Sequence, residues 1–227
     1  EISACLVGSE MCIRDRVGIT GTNGKTTIVS LLYELFSSLG LESGLISTVK
    51  VKFSNKEFEN KYTTPDSISI NNYLRQMVDL DIKYCFMEVS SHGISQHRIE
   101  GLDFSGGVFT NITHDHLDYH GSFDAYKQAK FSLFDLPTVR HWIVNVDDAS
   151  GRELIGRAVH PVNVVRFSLT NDVDSDVHVL RSSFRRDGIE AQVQTPLGTL
   201  ALHMSLLGKF NLSNVLATVG GLGAIGY

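Results

Sequence analysis

The chain has 227 residues, a net charge of −5 and 42% hydrophobic residues, enough for one sizeable α/β domain. Both signs of charge are dispersed, so nothing indicates a nucleic-acid-binding surface, and no apolar run is long enough to span a bilayer. The three cysteines, Cys5, Cys12 and Cys85, lack a metal-binding spacing, and these features together favour a cytoplasmic enzyme.

Residues 1–16 look foreign to the sequence that follows. They begin without Met and show neither clean periodicity nor the plan of a signal peptide. We therefore expect a truncated or non-native leader, followed by a domain over residues 17–227. A short strand over residues 4–8 is the alternative.

A glycine-rich turn joins an apolar run to a helical pattern. Its residues are Gly21, Thr22, Asn23, Gly24, Lys25, Thr26 and Thr27. This order places backbone N–H groups and a helix N-terminus around an anion, with Lys25 near the β/γ-phosphates and Thr26 on Mg²⁺. The full P-loop spacing would have Gly where this chain has Ile19. The pattern predicts a nucleoside triphosphate site, and a turn without a ligand is the alternative.

The first half of the chain alternates between helical and strand patterns. Apolar spacing predicts a helix over residues 26–39 with Gly40 as C-cap, and a helix from Ser67, its N-cap, to Leu80. Strands are predicted over residues 44–51 and 84–89, with a hairpin arm or loop over 52–62.

The second half begins in the same way and then changes. Further predictions are a strand over residues 107–110, a helix from Ser122 to Phe134, a strand over 142–146 and a helix over 150–158. Together these alternating elements predict a mostly parallel sheet flanked by helices. After Asn163, strand patterns over 164–168, 177–184, 189–195 and 200–204 predict a small antiparallel β appendage, before a final apolar helix.

Polar clusters follow three predicted strands, and the carboxyl ends of parallel strands meet at one edge of a sheet. We therefore expect the glycine-rich loop, the segment from Glu88 to His92 and the segment from His114 to His120 to converge. Glu88 is placed to hold Mg²⁺, and an exposed strand-end glutamate is the alternative.

The cluster of His114, Asp115, His116, Asp118 and His120 permits three interpretations. A zinc site is possible from the spacing, but no Cys or His-Glu-x-x-His motif is near. An imidazole beside Mg²⁺ is workable when phosphate oxygens fill most of the coordination shell. Capping of a loop is the third interpretation, strongest for His114 and His120 and weakest for His116.

Lys130 lies on the helix after this cluster, four residues from both Tyr126 and Phe134. From this spacing alone, we expect its stem to cover the edge of the core while its ammonium reaches solvent.

Several motifs in one order resemble the central domain of the Mur ligases. They are residues 21–26, 87–92, 111–121 and 208–214, and residues 63–65 with 90–98 resemble the MurE type. The resemblance covers roughly residues 16–227, and the family's own Gly-Thr-Asn-Gly-Lys-Thr loop accounts for Ile19.

The resemblance implies an ATP- and Mg²⁺-dependent amide ligase that works through an acyl phosphate. It would add a diamino acid, diaminopimelate by default or lysine, to a UDP-N-acetylmuramoyl dipeptide in peptidoglycan synthesis. It would be a monomer, without nucleic-acid or membrane partners. Folylpolyglutamate synthase and a non-catalytic nucleotide-binding module are the alternatives.

The resemblance also assigns roles to individual residues. It gives Lys25, His116 and a carbamylated Lys130 to catalysis, and Thr26, Glu88, His116 and the Lys130 carbamate to metal binding. The glycine-rich loop, Asn211 and Asn214 would bind ATP, and the dipeptide substrate would contact Thr63, Thr64, Ser90, Gln96 and Arg98. Because the family's N- and C-terminal domains are absent from this sequence, we expect the chain alone to bind nucleotide weakly without turnover.

Overall fold

The computed structural model describes residues 13, 15–158, 161–171 and 174–224. The strands are β1 (Asp15–Thr20), β2 (Ser43–Ile46), β3 (Lys50–Phe53), β4 (Lys56–Glu59), β5 (Tyr84–Glu88), β6 (Gly106–Phe109), β7 (His141–Asn145), β8 (Asn163–Ser168), β9 (Val177–Phe184), β10 (Ile189–Thr195) and β11 (Gly198–Met204). The helices are α1 (Lys25–Ser38), α2 (Ser67–Asp79), α3 (Ser91–Ser95), α4 (Leu117–His120), α5 (Phe123–Phe131), α6 (Ala149–Ile155) and α7 (Lys209–Ala224).

The eleven described strands form one sheet in the order β11-β10-β9-β8-β7-β6-β1-β5-β2-β3-β4. In this spatial order, all neighbouring strands from β9 across to β2 pair in parallel. At one edge β9, β10 and β11 form antiparallel pairs, and at the other edge β2, β3 and β4 do so. Ile19 of β1 is in register with Glu88 of β5 and with Val108 of β6. The predicted convergence of three strand ends is therefore confirmed.

Helices cover both faces of the sheet, because the side chains of its central strands alternate between two apolar clusters. Phe86 packs in one cluster with Ile28 and Leu216, which come from α1 and α7. Its neighbour Met87 packs in the other cluster with Leu74 from α2, together with residues of α5 and α6. This arrangement confirms the predicted α/β class.

The strand predicted over residues 44–51 is wrong, because a turn divides it into β2 and β3. Ser47 accepts a hydrogen bond from the Lys50 N–H (3.2 Å) and donates to the Lys50 carbonyl (2.9 Å), which closes the turn. The strand-forming residues Thr48 and Val49 lie inside this turn. The hairpin alternative for the following segment is confirmed by β3 and β4.

Several helix ends differ from the prediction: the C-cap of α1 is Leu39 rather than Gly40, and α6 ends at Ile155 rather than at residue 158. Asp66, rather than Ser67, caps α2, because its Oδ1 accepts from the Ser69 N–H at 2.9 Å. Ser122 does cap α5 as predicted, but the helix ends at Phe131. Beyond it, the Phe134 N–H bonds to the Phe131 carbonyl (2.8 Å), so tighter turns replace the last predicted helical turn.

The predicted antiparallel appendage begins later than expected and is continuous with the main sheet. β8 pairs in parallel with β7, and β9 pairs in parallel with β8 through Phe167 and Ser168. In this part of the sheet, the antiparallel pairs are β9 with β10 and β10 with β11.

β1 begins at Asp15, two residues before the expected start of the domain, and its Arg16 pairs with Cys85 of β5. The alternative strand over residues 4–8 lies outside the described residues, as do Cys5 and Cys12. Cys85 is buried, and its burial raises the pKa of the thiol to about 12. Across the described ranges, no helix combines the length and apolar character that a membrane crossing requires.

Candidate active site

The glycine-rich loop leaves β1 and enters α1 through two glycines with left-handed backbone angles. The φ angles are +146° at Gly21 and +92° at Gly24, and α1 begins at Lys25 without a side-chain cap. The first N–H groups of a helix lack partners within the helix and lie at the positive end of its dipole. The loop is therefore built to receive an anion. Ile19, where a full P-loop has Gly, is completely buried in β1.

Two lysine side chains meet on one carbonyl of this loop. The Gly21 oxygen accepts from Lys25 Nζ at 3.0 Å and from Lys130 Nζ at 2.8 Å, and Lys25 also donates to the Thr22 carbonyl at 2.8 Å. Burial, opposed by the charges of Glu88 and Asp115, lowers the pKa of Lys25.

Lys130 is only 2% exposed, so the expectation that its ammonium reaches solvent is wrong. Its amine lies 4.6 Å from the Tyr126 ring centroid, and Tyr126 is itself buried. Burial and the neighbouring Lys25 charge lower the pKa of Lys130 from its ordinary 10.5 to about 6. The lowered pKa increases the share of neutral, nucleophilic amine near pH 7.

Glu88 ends β5 with its side chain fully buried, so the exposed strand-end alternative is wrong. Its carboxylate accepts from the Thr48 N–H at 2.8 Å and from the Thr48 hydroxyl at 3.1 Å. Thr48 was missed in the sequence because the strand predicted over its position hid the turn that brings it to Glu88.

Histidines from two strand ends form a contiguous cluster. The His92 ring lies 4.7 Å from His116 and 5.6 Å from His120, and it lies 4.2 Å from Tyr119. Burial, followed by the charge of a neighbouring histidine, lowers the pKa of both His92 and His120. His116 is the N-cap residue of the short helix α4 and has a left-handed conformation, with φ of +51°.

His114 and His120 make the structural contacts expected of loop residues. His114 stacks on Phe123 at 4.8 Å, and His120 Nε2 lies 3.0 Å from the Ser91 hydroxyl. Within the described ranges, no three His, Cys, Asp or Glu side chains assemble into a metal-binding group, so the zinc alternative gains no support.

The predicted substrate residues lie together beside this cluster. Arg98 donates to the Thr64 carbonyl at 2.6 Å and to Gln96 Oε1, and its guanidinium lies 5.1 Å from the Tyr62 ring. The Thr64 hydroxyl is buried, donating to the Glu88 carbonyl at 3.0 Å and lying 3.1 Å from the Ser90 hydroxyl. Thr64 therefore holds both Arg98 and Ser90 in position, and Gln96 holds Arg98.

One cavity of about 380 Å³ joins these groups. Lys25, Lys130 and Arg98 all line it, so it suits an anionic ligand. The remaining lining residues are Thr48, Lys61, Tyr62, Thr63, Ser90, Ser91, His92, His116 and Tyr126. Lys61 and Tyr62 were not predicted, and no spacing in the sequence distinguishes them.

The N-terminal half of α7 contacts the glycine-rich loop at Gly24. A Cβ at Gly24 would lie 2.3 Å from Asn214 Oδ1, so the loop and this buried asparagine are in close contact. Asn214 Nδ2 donates to Asn211 Oδ1 at 3.3 Å, which brings the two predicted ATP-binding asparagines together.

The Mur ligase middle domain family model matches residues 19–222. The chain belongs to the Mur ligase family. This membership confirms the resemblance found in its motifs. The chain is 41% identical over 211 residues to UDP-N-acetylmuramoyl-L-alanyl-D-glutamate–2,6-diaminopimelate ligase from Ectopseudomonas mendocina, covering 93% of this chain and 43% of that protein. It thus spans about two-fifths of the length of the curated relatives it matches.

Solved structures give the same assignment of the fold. A structure of UDP-N-acetylmuramoyl-L-alanyl-D-glutamate–2,6-diaminopimelate ligase superposes with a TM-score of 0.88 at 28% identity, covering 96% of this chain and 45% of that one. A complex of FPGS with AMPPCP superposes with a TM-score of 0.73 at 14% identity, covering 98% and 61%. At that identity the second likeness shows the fold alone.

Proposed function

We propose that the protein containing this chain is an ATP-dependent ligase of the MurE type. It would join a diamino acid, diaminopimelate in preference to lysine, to UDP-N-acetylmuramoyl-L-Ala-D-Glu, and so serve peptidoglycan synthesis, cell shape and division. One observation carries the proposal: Lys25 of the glycine-rich loop, the buried Lys130 and Arg98 line one cavity. The similarity to diaminopimelate ligases supports the choice of substrate.

The loop would hold the ATP phosphates. The unpartnered N–H groups at the start of α1 would bind β- and γ-phosphate oxygens, and the Lys25 ammonium would exchange its two carbonyl contacts for the phosphates. Asn214 lies beside Gly24 and donates to Asn211, and both would contact the adenine.

Thr26, Glu88, His116 and a carbamylated Lys130 would hold Mg²⁺. Glu88 fits this role because it is a fully buried carboxylate at a strand end, oriented by two hydrogen bonds from Thr48. Oxygen ligands are those that Mg²⁺ prefers. Bound there, Mg²⁺ would neutralise charge on the transferred phosphoryl group.

The lowered pKa of Lys130 favours the neutral amine that carbamylation requires. Its neutral Nζ would attack the carbon of CO₂, form an N–C bond and release one proton, which converts a buried amine into a carboxylate. The remaining N–H would keep the present hydrogen bond to the Gly21 carbonyl. The low pKa makes the amine available near neutral pH.

Arg98 and the polar side chains beside it would hold the anionic dipeptide substrate. Arg98, braced by Thr64 and Gln96, would face an anionic group, while Thr63 and Ser90 would position the chain. The substrate's carboxylate would attack the γ-phosphorus, break its bond to the bridging oxygen and release ADP, which gives an acyl phosphate. The incoming amine would then attack the acyl carbon, lose a proton and expel phosphate, which leaves the amide. The task of the site is to hold two anions in line.

A folylpolyglutamate synthase or a non-catalytic nucleotide module remains an alternative, because both could use the same loop. The likeness to folylpolyglutamate synthase (FPGS) concerns the fold alone. A non-catalytic nucleotide module has no need of Lys130 and Glu88 close to Arg98. We further propose a cytoplasmic monomer with neither a nucleic-acid nor a membrane partner, in line with the net charge of −5.

Phosphate release tests the proposal. A protein containing this chain, together with the regions that its relatives have beyond it, should release phosphate from ATP only with the UDP-muramoyl dipeptide and a diamino acid. Comparison of diaminopimelate with lysine identifies the amine. Phosphate release that depends on a folate would contradict the proposal. Ligation by the 227-residue chain alone would contradict the separate expectation that this chain does not turn over.

A further inference from the structure

Asn111 is bonded to the centre of the glycine-rich loop from the neighbouring strand end. Asn111 Oδ1 accepts from the Asn23 N–H at 3.0 Å, and Asn111 Nδ2 donates to the Asn23 carbonyl at 3.2 Å. The carboxamide thus pairs with both backbone groups of one residue, as a neighbouring strand would. Aspartate lacks the donor, and alanine lacks both groups.

Backbone and hydroxyl contacts on either side of Asn111 extend this attachment. The Thr22 N–H donates to the Asn111 carbonyl at 2.8 Å, and the Thr113 N–H donates to the Thr22 hydroxyl at 3.0 Å. The Thr110 hydroxyl donates to the Asn23 carbonyl at 2.7 Å. Residues 110–113, here called the clamp segment, therefore hold Thr22 and Asn23, the two residues between Gly21 and Gly24.

The clamp segment is itself anchored to the next strand of the sheet. Asn145 Nδ2 donates to the Thr110 carbonyl at 2.7 Å, in a buried contact, and the Ile112 N–H donates to Asp148 Oδ2 at 2.9 Å. Asp148 also caps α6 through the Ser150 N–H at 2.8 Å. Asn111 thus has a fixed backbone on both sides, and this rigidity is transmitted to the loop.

Flexible glycines make such a clamp necessary. Gly21 and Gly24 both adopt positive φ, where glycine is conformationally free, so Thr22 and Asn23 lie between two hinges. A loop that had to order itself around a phosphate would bind it more weakly, since ordering costs conformational entropy.

We propose that Asn111 is a positioning residue that holds the loop in its phosphate-binding shape before nucleotide arrives. This inference rests on the proposed nucleotide site but makes a separate claim about the empty loop. Asn111 acts through Asn23 and touches no reacting atom. In its clamped form, the loop directs the Thr22 and Asn23 N–H groups at Asn111, so that the start of α1 supplies the donors for the phosphates.

The first test measures water–amide exchange by NMR in the nucleotide-free 227-residue chain. Asn111→Ala should accelerate exchange at the Asn23 amide roughly ten-fold, since one amide hydrogen bond is lost. Asn111→Asp keeps the acceptor, so the Asn23 amide should exchange at nearly the wild-type rate. Equal rates at Asn23 in the wild type and Asn111→Ala would overturn the proposal.

The second test titrates the same proteins with AMPPCP and Mg²⁺ by calorimetry. Asn111→Ala should bind about ten-fold more weakly, with little change in melting temperature. Asn163→Ala is the control, because this exposed asparagine begins β8 and lies away from the loop. An affinity of Asn111→Ala within two-fold of the wild type would overturn the positioning role.

The two tests separate this inference from the proposed function. A wild-type chain that binds no AMPPCP would contradict the nucleotide site, and amide exchange alone would then decide whether Asn111 clamps the loop. Should Asn111→Ala fail to fold, Asn111→Ser is the second variant, since its shorter side chain cannot reach both groups of Asn23. The exchange rate of the Asn23 amide and the affinity for AMPPCP are then measured in Asn111→Ser, with the same outcomes deciding the proposal.

Discussion

Burial of Lys130 should make the stability of the fold depend on pH in a way that one substitution removes. In the folded chain the pKa of Lys130 is about 6, against an ordinary 10.5. Between these values the unfolded chain holds a proton that the folded chain has lost, so stability rises with pH. At pH 7 the burial costs about 5 kcal/mol relative to a lysine that never ionises.

Lys130→Met should therefore stabilise the fold most at low pH, and the difference should shrink as the pH rises towards 10.5. The wild type should gain about 1.4 kcal/mol per pH unit relative to Lys130→Met between pH 6.5 and 9.5. This slope corresponds to one proton, and it holds at each pH that lies between the folded and the unfolded pKa of Lys130.

Urea unfolding of both proteins across this range, in buffers freed of CO₂, measures the slope. Lys127→Met is the matched control on the same helix, because contacts with Glu153 and Asp124 raise the pKa of Lys127. Its stability should run parallel to that of the wild type below pH 10. Parallel curves for Lys130→Met and the wild type would refute the burial argument.

Three further outcomes follow from contacts at the site and at a helix end. In a longer protein with ligase activity, Lys130→Ala should abolish most turnover, and added short carboxylic acids should restore part of it; undiminished activity would remove the lysine from the mechanism. Thr48→Val should cost about 1–2 kcal/mol in urea unfolding, because one hydrogen bond to the buried Glu88 carboxylate is lost, whereas Thr48→Ser should not. Asp66→Ala should cost about 1 kcal/mol by removing the cap of α2. Hydrogen bonds to Ser69 lower the pKa of Asp66, so the wild type should lose this contribution as the pH falls through that pKa, while Asp66→Asn, a neutral cap, should show no such loss.

The sequence was sufficient for features that depend on local periodicity. The helix that follows Lys25, the buried strand that ends at Glu88 and their meeting at one sheet edge all follow from apolar spacing and parallel connections. The turn at Ser47 could not be foreseen, because Thr48 and Val49 favour a strand and side-chain hydrogen bonds decide against it.

Contacts between distant loops were also out of reach. Asn111 was visible as part of a motif, but its pairing with Asn23 joins residues that lie 88 positions apart. The burial of Lys130 also depends on a distant contact. Its spacing on α5 predicted a place at the edge of the core, whereas a hydrogen bond to the Gly21 carbonyl fixes the position of its amine. Site residues of this kind depend on tertiary structure that propensity does not contain.

The polar groups buried at this sheet edge are explained better by chemistry than by stability. An apolar residue at Lys130 would avoid the desolvation of an amine, and a fully buried Glu88 carries a similar penalty. Each is held by specific donors or acceptors from another loop, with Thr48 on Glu88 and Gly21 on Lys130. A fold selected for stability alone has no reason to keep both, whereas the phosphate and metal site that we propose needs a carboxylate and a lysine amine whose positions are set before the ligands arrive.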